Sequence, residues 1–280
     1  MDMSDGHGGF PTRLASGVLI AVLALALFVA VWSGRAVAAA APSPGCGGSP
    51  STAVTQGASV VEEVAIDGSA STRSTVLRAA YQHAALAVVA RAASESGALR
   101  VVVFGPSGVG ARVVFAGSFA PVSSVMAFNL AATNRSRCLA QQAVVAAFAS
   151  HSTTVGTDVA GAIVSAVASA RALVKPGGRV TVTVLTDGCQ APAPSGLNRQ
   201  LTDLCGQLNA GVSPARIVAR HRAEFALGDL RGVVLTMAGV GVGRFADAAS
   251  TARAQELVGF WQGACRRAGA ARCVIGSAVQ

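Results

Sequence analysis

The chain has 280 residues, enough for one large domain or two smaller ones, and its 52% hydrophobic content is ample for a buried core. Only 12% of the residues are charged, and the net charge of +9 is almost wholly arginine, Lys175 being the only lysine. The basic residues are scattered apart from Arg216-Arg220-Arg222 and Arg266-Arg267-Arg272. A nucleic-acid binder needs a clustered basic face, usually with a recognisable module, and neither is legible here.

Residues 1–13 are expected to be a cytoplasmic tail or the n-region of a signal peptide. Leu14 to Trp32 then run without a single charge, about as long as a bilayer-spanning helix needs to be. Two readings stay open for residues 14–33. One is an uncleaved transmembrane signal-anchor; the other is a signal peptide, with Ala38-Ala39-Ala40 supplying the small residues of a cleavage site. Either one places the rest of the chain outside the cytoplasm, on the membrane or secreted. Residues 34–58 are rich in Ala, Pro, Gly and Ser without periodicity, the composition of a flexible tether. The folded domain is expected over 59–280.

All six cysteines, Cys46, Cys138, Cys189, Cys205, Cys265 and Cys273, follow the apolar segment. An even count in an exported chain points to disulfides. Proximity in sequence pairs Cys189 with Cys205 and Cys265 with Cys273, leaving Cys46 with Cys138. No Cys-x-x-Cys or histidine cluster marks a zinc or redox site.

Within the domain, strand and helix patterns alternate. Val60–Ile66 reads as a buried strand, Thr75–Ser94 as a helix, and Leu99–Phe104 and Arg112–Phe119 as strands joined by a Gly-rich turn. Arg137–Ala149 and Asp158–Val174 read as helices, and Val180–Leu185 as a strongly β-branched strand. Leu197–Leu208 and Ala215–Leu227 look helical, the latter opened by Ser213-Pro214. Val233–Ala238, Ala246–Ala264 and Arg272–Ile275 follow as strand, helix and strand. Near-continuous apolar strands alternating with helices imply an α/β fold, a doubly wound, mostly parallel sheet with helices on both faces. The short turn before Arg112 adds one antiparallel edge strand.

Three junctions carry oxygen side chains. Asp67-Gly68-Ser69-Ala70-Ser71 follows the first strand, Gly156-Thr157 precedes a helix, and Thr186-Asp187-Gly188 follows the Val180–Leu185 strand. In a doubly wound sheet such loops share the rim at the strand carboxyl ends, where ligands bind. Each has a purely structural reading as well: Ser69, Ser71 or Thr157 as helix caps, Asp187 as a turn residue, and Asp158 as a first-turn helix charge.

Taken together and in this order, the three pieces resemble the von Willebrand factor type A family and its metal-ion-dependent adhesion site. That pattern is Asp-x-Ser-x-Ser after the first strand, a Thr before a helix, and an Asp after a central strand. The resemblance spans roughly residues 60–276. It implies that Ser69 and Ser71 bind a divalent cation directly and Thr157 directly or through water. Asp67 and Asp187 would bind the ion or hold its waters. The expected ion is Mg²⁺, with Mn²⁺ and Ca²⁺ as alternatives. An open position would take a carboxylate from a partner protein. The spans Phe119–Thr157 and Cys189–Val233 match no particular branch of the family, so no particular partner is implied. A scaffold of the same fold without a working metal site is the alternative.

Enzymatic readings are weaker. Gly105-Pro106-Ser107-Gly108-Val109-Gly110 resembles a nucleotide-binding loop, but Ala111 and Arg112 stand where its Lys and Ser/Thr belong. No Gly-x-Ser-x-Gly elbow occurs. The histidines His7, His83, His151 and His221 are dispersed, and Glu62 and Glu63 read as edge or strand-start charges. A binding domain rather than an enzyme is expected.

Overall fold

Val61 to Asp67 are seven consecutive buried residues, so the strand they belong to, β1 (Ala58–Asp67), is covered on both faces. In the computed structural model the described residues are Cys46, 56–72, 74–105, 111–121, 123–149, 156–191, 201–245 and 250–277. The chain divides into two compact units, Met1–Cys46 and Gly47–Gln280, and the sheet belongs to the second.

β1 is central. It pairs in parallel with β2 (Ala98–Phe104) on one side and with β4 (Val174–Leu185) on the other. β5 (Val233–Ala238) and β6 (Arg272–Gly276) continue in parallel beyond β4, while β3 (Arg112–Ser118) closes the opposite edge antiparallel to β2. The order is therefore β3-β2-β1-β4-β5-β6. The chain winds outward from β1 through β2 and β3, then returns to the other flank of β1 and winds the opposite way. The reversal falls between β1 and β4, and the crevice outside the carboxyl ends of those two strands is where such sheets bind ligands.

The helices are α1 (Thr75–Ser94), α2 (Met126–Ala149), α3 (Val159–Leu173), α4 (Leu204–Asn209), α5 (Pro214–Arg220) and α6 (Ser250–Arg267). α1 buries Leu77, Tyr81, Ala84, Ala85, Val88, Val89 and Ala92, one stripe at helical spacing, and packs against β1 and α2. Ile163 and Val167 of α3 and Leu257 and Trp261 of α6 share a core with Val61, Ala65, Val182 and Val184. Cys189–Cys205 and Cys265–Cys273 are disulfides, and Cys46 and Cys138 are also oxidised. Such bonds fit an extracytoplasmic, oxidising compartment.

Several expectations are corrected. α2 begins at Met126, eleven residues before Arg137; the inward stripe of its first half is Asn129, Ala132, Thr133 and Ser136, small or polar and only half-buried, so no apolar pattern marks it. The helix expected from Leu197 starts at Leu204, where the Asp203 carboxylate accepts the Gly206 N–H as a cap; residues 192–200 lie outside the described set. α5 ends at Arg220 rather than Leu227. The chain then turns so that Phe225 is buried edge-on against Phe260 and Trp261. Asp158 is the cap of α3, accepting from Gly161 N–H at 2.8 Å, rather than a charge inside its first turn.

Glu62 and Glu63 mark neither an edge nor the start of the strand. Both are buried on the central strand, Glu62 held by a bidentate Arg91 at 2.9 and 2.8 Å and Glu63 by its register neighbour Arg100 at 2.6 Å. The apolar segment 14–32 and the glycine-rich residues 106–110 lie outside the described set. Among the described residues no helix is long and apolar enough to cross a membrane.

Candidate metal centre

β1 ends on Asp67, and its carboxylate organises the turn that follows. Oδ1 accepts the Ser69 N–H at 2.9 Å, which folds residues 70–72 into a single 3-10 turn. The Thr72 hydroxyl lies 3.0 Å from the Asp67 carbonyl and 2.9 Å from that of Ser69, closing the loop on itself. The turn joins the Ser69 and Ser71 hydroxyls in a 2.9 Å hydrogen bond, with either as donor, Ser69 buried and Ser71 half-buried. Neither serine caps α1, whose N-cap is Ser74.

The β4 end meets this turn directly. Ile66 and Leu185 are register partners, so the next residues, Asp67 and Thr186, come together, and the Thr186 hydroxyl donates to Asp67 Oδ2 at 2.7 Å. Asp187 follows, fully buried, with Oδ1 accepting the Cys189 N–H at 2.9 Å. Its other oxygen, Oδ2, has no hydrogen-bond partner; the nearest cation is Arg244 Nε at 3.4 Å. Gly188 adopts φ +77°, and a Cβ there would press on Val240 at 3.0 Å and Trp261 Nε1 at 3.2 Å. That indole N–H donates to the Gly188 carbonyl at 2.9 Å, so α6 pins the Asp187 loop from outside.

Thr157 reaches the same edge through its main chain. Asp158 N–H donates to the carbonyl of Gly105, just past the end of β2, and Thr157 exchanges two backbone hydrogen bonds with Ala191 at 3.1 and 3.0 Å. Gln190 accepts from the Ala160 N–H at the start of α3, and its amide meets the Glu224 carboxylate, which also takes Thr202. The loop joining Asp187 to the disulfide is thus braced on both sides.

Asp67, Ser69, Ser71 and Asp187 therefore lie on the carboxyl edge of the sheet at the winding reversal, and Thr157 lies on that edge beside Ala191, next to the end of β2. Burial, reinforced by the charge of Asp187, raises the Asp67 carboxyl to about 7. The same two carboxylates, after burial, push the buried Tyr81 phenol upward, and its hydroxyl has no hydrogen-bond partner. Thr186 enters the sequence reading within the Thr186-Asp187-Gly188 piece but not as a site residue, and Arg244 and Tyr81 are not read there as site residues. Thr186 carried a signal in its Thr-Asp-Gly triplet. Arg244 and Tyr81 reach this edge from a loop after β5 and from the middle of α1, which no spacing reveals. Among the described residues no three His, Cys, Asp or Glu side chains cluster as metal ligands. The oxygens here come from two carboxylates and three hydroxyls.

No family model matches the chain, and no curated protein matches it. Among solved structures it is similar to proximal thread matrix protein 1 from the mussel byssus (19% identity, 66% of this chain and 36% of that one, TM-score 0.34). It is also similar to the pilus adhesin SpaC from Lactobacillus rhamnosus GG (12%, 75% and 27%, TM-score 0.38). A third likeness is to the conserved hypothetical protein BatB from Bacteroides thetaiotaomicron (14%, 77% and 89%, TM-score 0.35). The chain thus spans about a third of the mussel protein.

Proposed function

We propose that this chain is a membrane-tethered, extracytoplasmic type A domain that binds an acidic partner protein through a divalent cation. The observation that carries the reading is the Ser69–Ser71 hydroxyl pair, 2.9 Å apart, on the same rim as the orphaned Asp187 Oδ2. Adjacent ligands of an octahedral Mg²⁺ with bonds of about 2.1 Å sit roughly 3 Å from each other, which is the spacing of those two oxygens. A buried carboxylate oxygen without a hydrogen-bond donor is costly; Arg244 at 3.4 Å offsets part of that cost, and a divalent ion would offset more. The residues present therefore fit the ion. Ser69 and Ser71 would hold it, with Thr157 and Asp187 directly or through water. Asp67, whose two oxygens are engaged by Ser69 N–H and the Thr186 hydroxyl, would fix the serines and orient bound water.

When bound, the ion supplies a positive centre at the rim for a carboxylate of the partner. The chain's own groups set its geometry and, with only two carboxylates, leave it incompletely neutralised. Binding rather than catalysis is the role. The test is calorimetry of the full chain with Mg²⁺ or Mn²⁺, set against Asp67→Ala. Heat and a raised melting temperature that depend on the ion in the unmutated chain, and are absent in the variant, are expected. No ion-dependent heat in the unmutated chain would leave a structural scaffold as the better description.

A further inference from the structure

The loop after β5 places glycine at every second position, Gly239-Val240-Gly241-Val242-Gly243, before it delivers Arg244 to the rim. Gly241 anchors it. Its N–H donates to the Asp187 carbonyl at 2.8 Å, its φ is +81°, and a Cβ there would lie 2.8 Å from that of Ala254 on α6. The Val240 N–H donates to the Gly276 carbonyl at the end of β6. Arg244 is therefore hung from the same stretch of main chain that holds Asp187, with Nε 3.4 Å from Asp187 Oδ2. Val242 and Gly243, just before it, are exposed.

Elsewhere this protein pairs arginine with carboxylate through full hydrogen bonds. Arg91 grips Glu62 at 2.9 and 2.8 Å, Arg100 donates to Glu63 at 2.6 Å, and Arg231 donates to Asp229 at 3.1, 3.0 and 2.9 Å. Arg244 does none of this. Its Nε–H is buried without an acceptor, and among the described residues its side chain makes no hydrogen bond. A guanidinium presents five N–H donors in a planar fork that matches the two oxygens of a carboxylate. The side chain is partly open to solvent, so that fork is reachable from outside the domain. Asp187 offsets its charge and leaves its donors unused.

We infer that Arg244 reads the acidic group of the partner protein: once the rim holds a divalent ion, its guanidinium passes from Asp187 Oδ2 to the partner's carboxylate. This role for Arg244 rests on the divalent-ion reading of the rim. The exchange follows from charge. In the ion-free chain the guanidinium faces Asp187; beside a divalent ion it is repelled from that oxygen, and the arriving carboxylate is the anion that can take it. A carboxylate has two oxygens, so one can meet the ion and the other Arg244. The charge-assisted hydrogen bond then fixes the direction of approach, which a metal contact alone does not. Ion and acidic group strengthen each other by the same factor.

The test is calorimetry of the full chain with Mg²⁺, then with sodium acetate titrated into the Mg²⁺-saturated and the ion-free protein at constant ionic strength. Acetate stands in for the partner's side chain. It is expected to bind the ion-loaded chain about tenfold or more tightly than the ion-free chain. Arg244→Gln should lose about tenfold in acetate affinity while its Mg²⁺ affinity does not fall. Arg244→Lys keeps the charge without the planar fork, so it should lose less, and it decides alone where the Gln variant does not fold. Heat on adding Mg²⁺ shows that a variant is folded. Equal acetate affinity in the unmutated chain and a folded variant overturns the role of Arg244 and leaves the metal site standing. Acetate binding of the same strength with and without Mg²⁺ overturns the exchange. Absence of Mg²⁺ heat in the unmutated chain overturns the metal reading itself, and the role of Arg244 with it.

Discussion

Arg244→Gln should weaken the ion-free protein and tighten its ion. Arg244 Nε stands 3.4 Å from Asp187 Oδ2, and neither atom makes a hydrogen bond. At that separation the attraction is about 5 kcal/mol for an effective dielectric near 20 and about 1 kcal/mol in water. The Arg244 side chain is 31% exposed, so solvent screening puts the net value toward the lower end, about 1–2 kcal/mol. Without a divalent ion, the arginine is, among the described residues, the one cation paired with this buried carboxylate oxygen. With one, the two cations compete for the same oxygen. Removing the arginine should therefore lower the ion-free melting temperature by about 2–6 °C. Mg²⁺ or Mn²⁺ affinity should rise by about tenfold, the equivalent of ~1.4 kcal/mol. Calorimetry and thermal melts of the full chain, with and without the ion, read both quantities. The opposite signs are the diagnostic. A variant that loses stability but binds the ion no tighter, or more weakly, would refute the competition and make Arg244 a plain structural partner of Asp187.

Four other outcomes follow from the same structure. Burial pushes the Glu63 carboxyl from its ordinary 4.5 up to about 8, against the pull of Arg100. A raised folded value gives stability that is complete below pH 4.5 and lost as pH climbs toward 8. Glu63→Gln should therefore gain on the unmutated chain across that window by a few kcal/mol at most (~1.4 per unit), and urea melts at pH 5 and 8 that show no such trend would sink the assignment. Tyr81→Phe removes a buried hydroxyl without a partner and should be neutral or stabilising by about 1 kcal/mol. Gly239→Ala, whose Cβ would sit 2.3 Å from that hydroxyl at φ +89°, should cost about 1–3 kcal/mol by denaturant titration. Replacing Cys189 and Cys205 together by Ala opens a loop of sequence separation 16 and should cost about 3 kcal/mol, with the Asp187 loop exchanging its amides faster than β1.

Local chemistry decided a great deal before any tertiary contact formed. Strongly β-branched runs such as Val180–Leu185 alternating with helical patterns call for a mostly parallel sheet with helices on both sides. The helix Thr75–Ser94 and the strand Val233–Ala238 are legible to the residue because their apolar spacing is also their burial pattern. The oxygen-bearing junctions at Asp67, Thr157 and Asp187 were legible for a related reason: each is a short polar break immediately outside an apolar element, so its place at a strand or helix end is fixed by its neighbours.

Only the assembled sheet decided which strand is central, and that reversed the meaning of Glu62 and Glu63. Two adjacent carboxylates look like an edge until Arg91 and Arg100, distant in sequence, are folded over them. It also decided the company of Asp187, since Arg244 and Tyr81 arrive from separate elements. The first half of α2 is the plainest case. A helix is recognised in sequence by an apolar buried stripe, and the inward side of Met126–Arg137 is Asn129, Ala132, Thr133 and Ser136, small or polar and only half-buried. Its existence depends on the backbone hydrogen bonds it shares with the half that carries such a stripe.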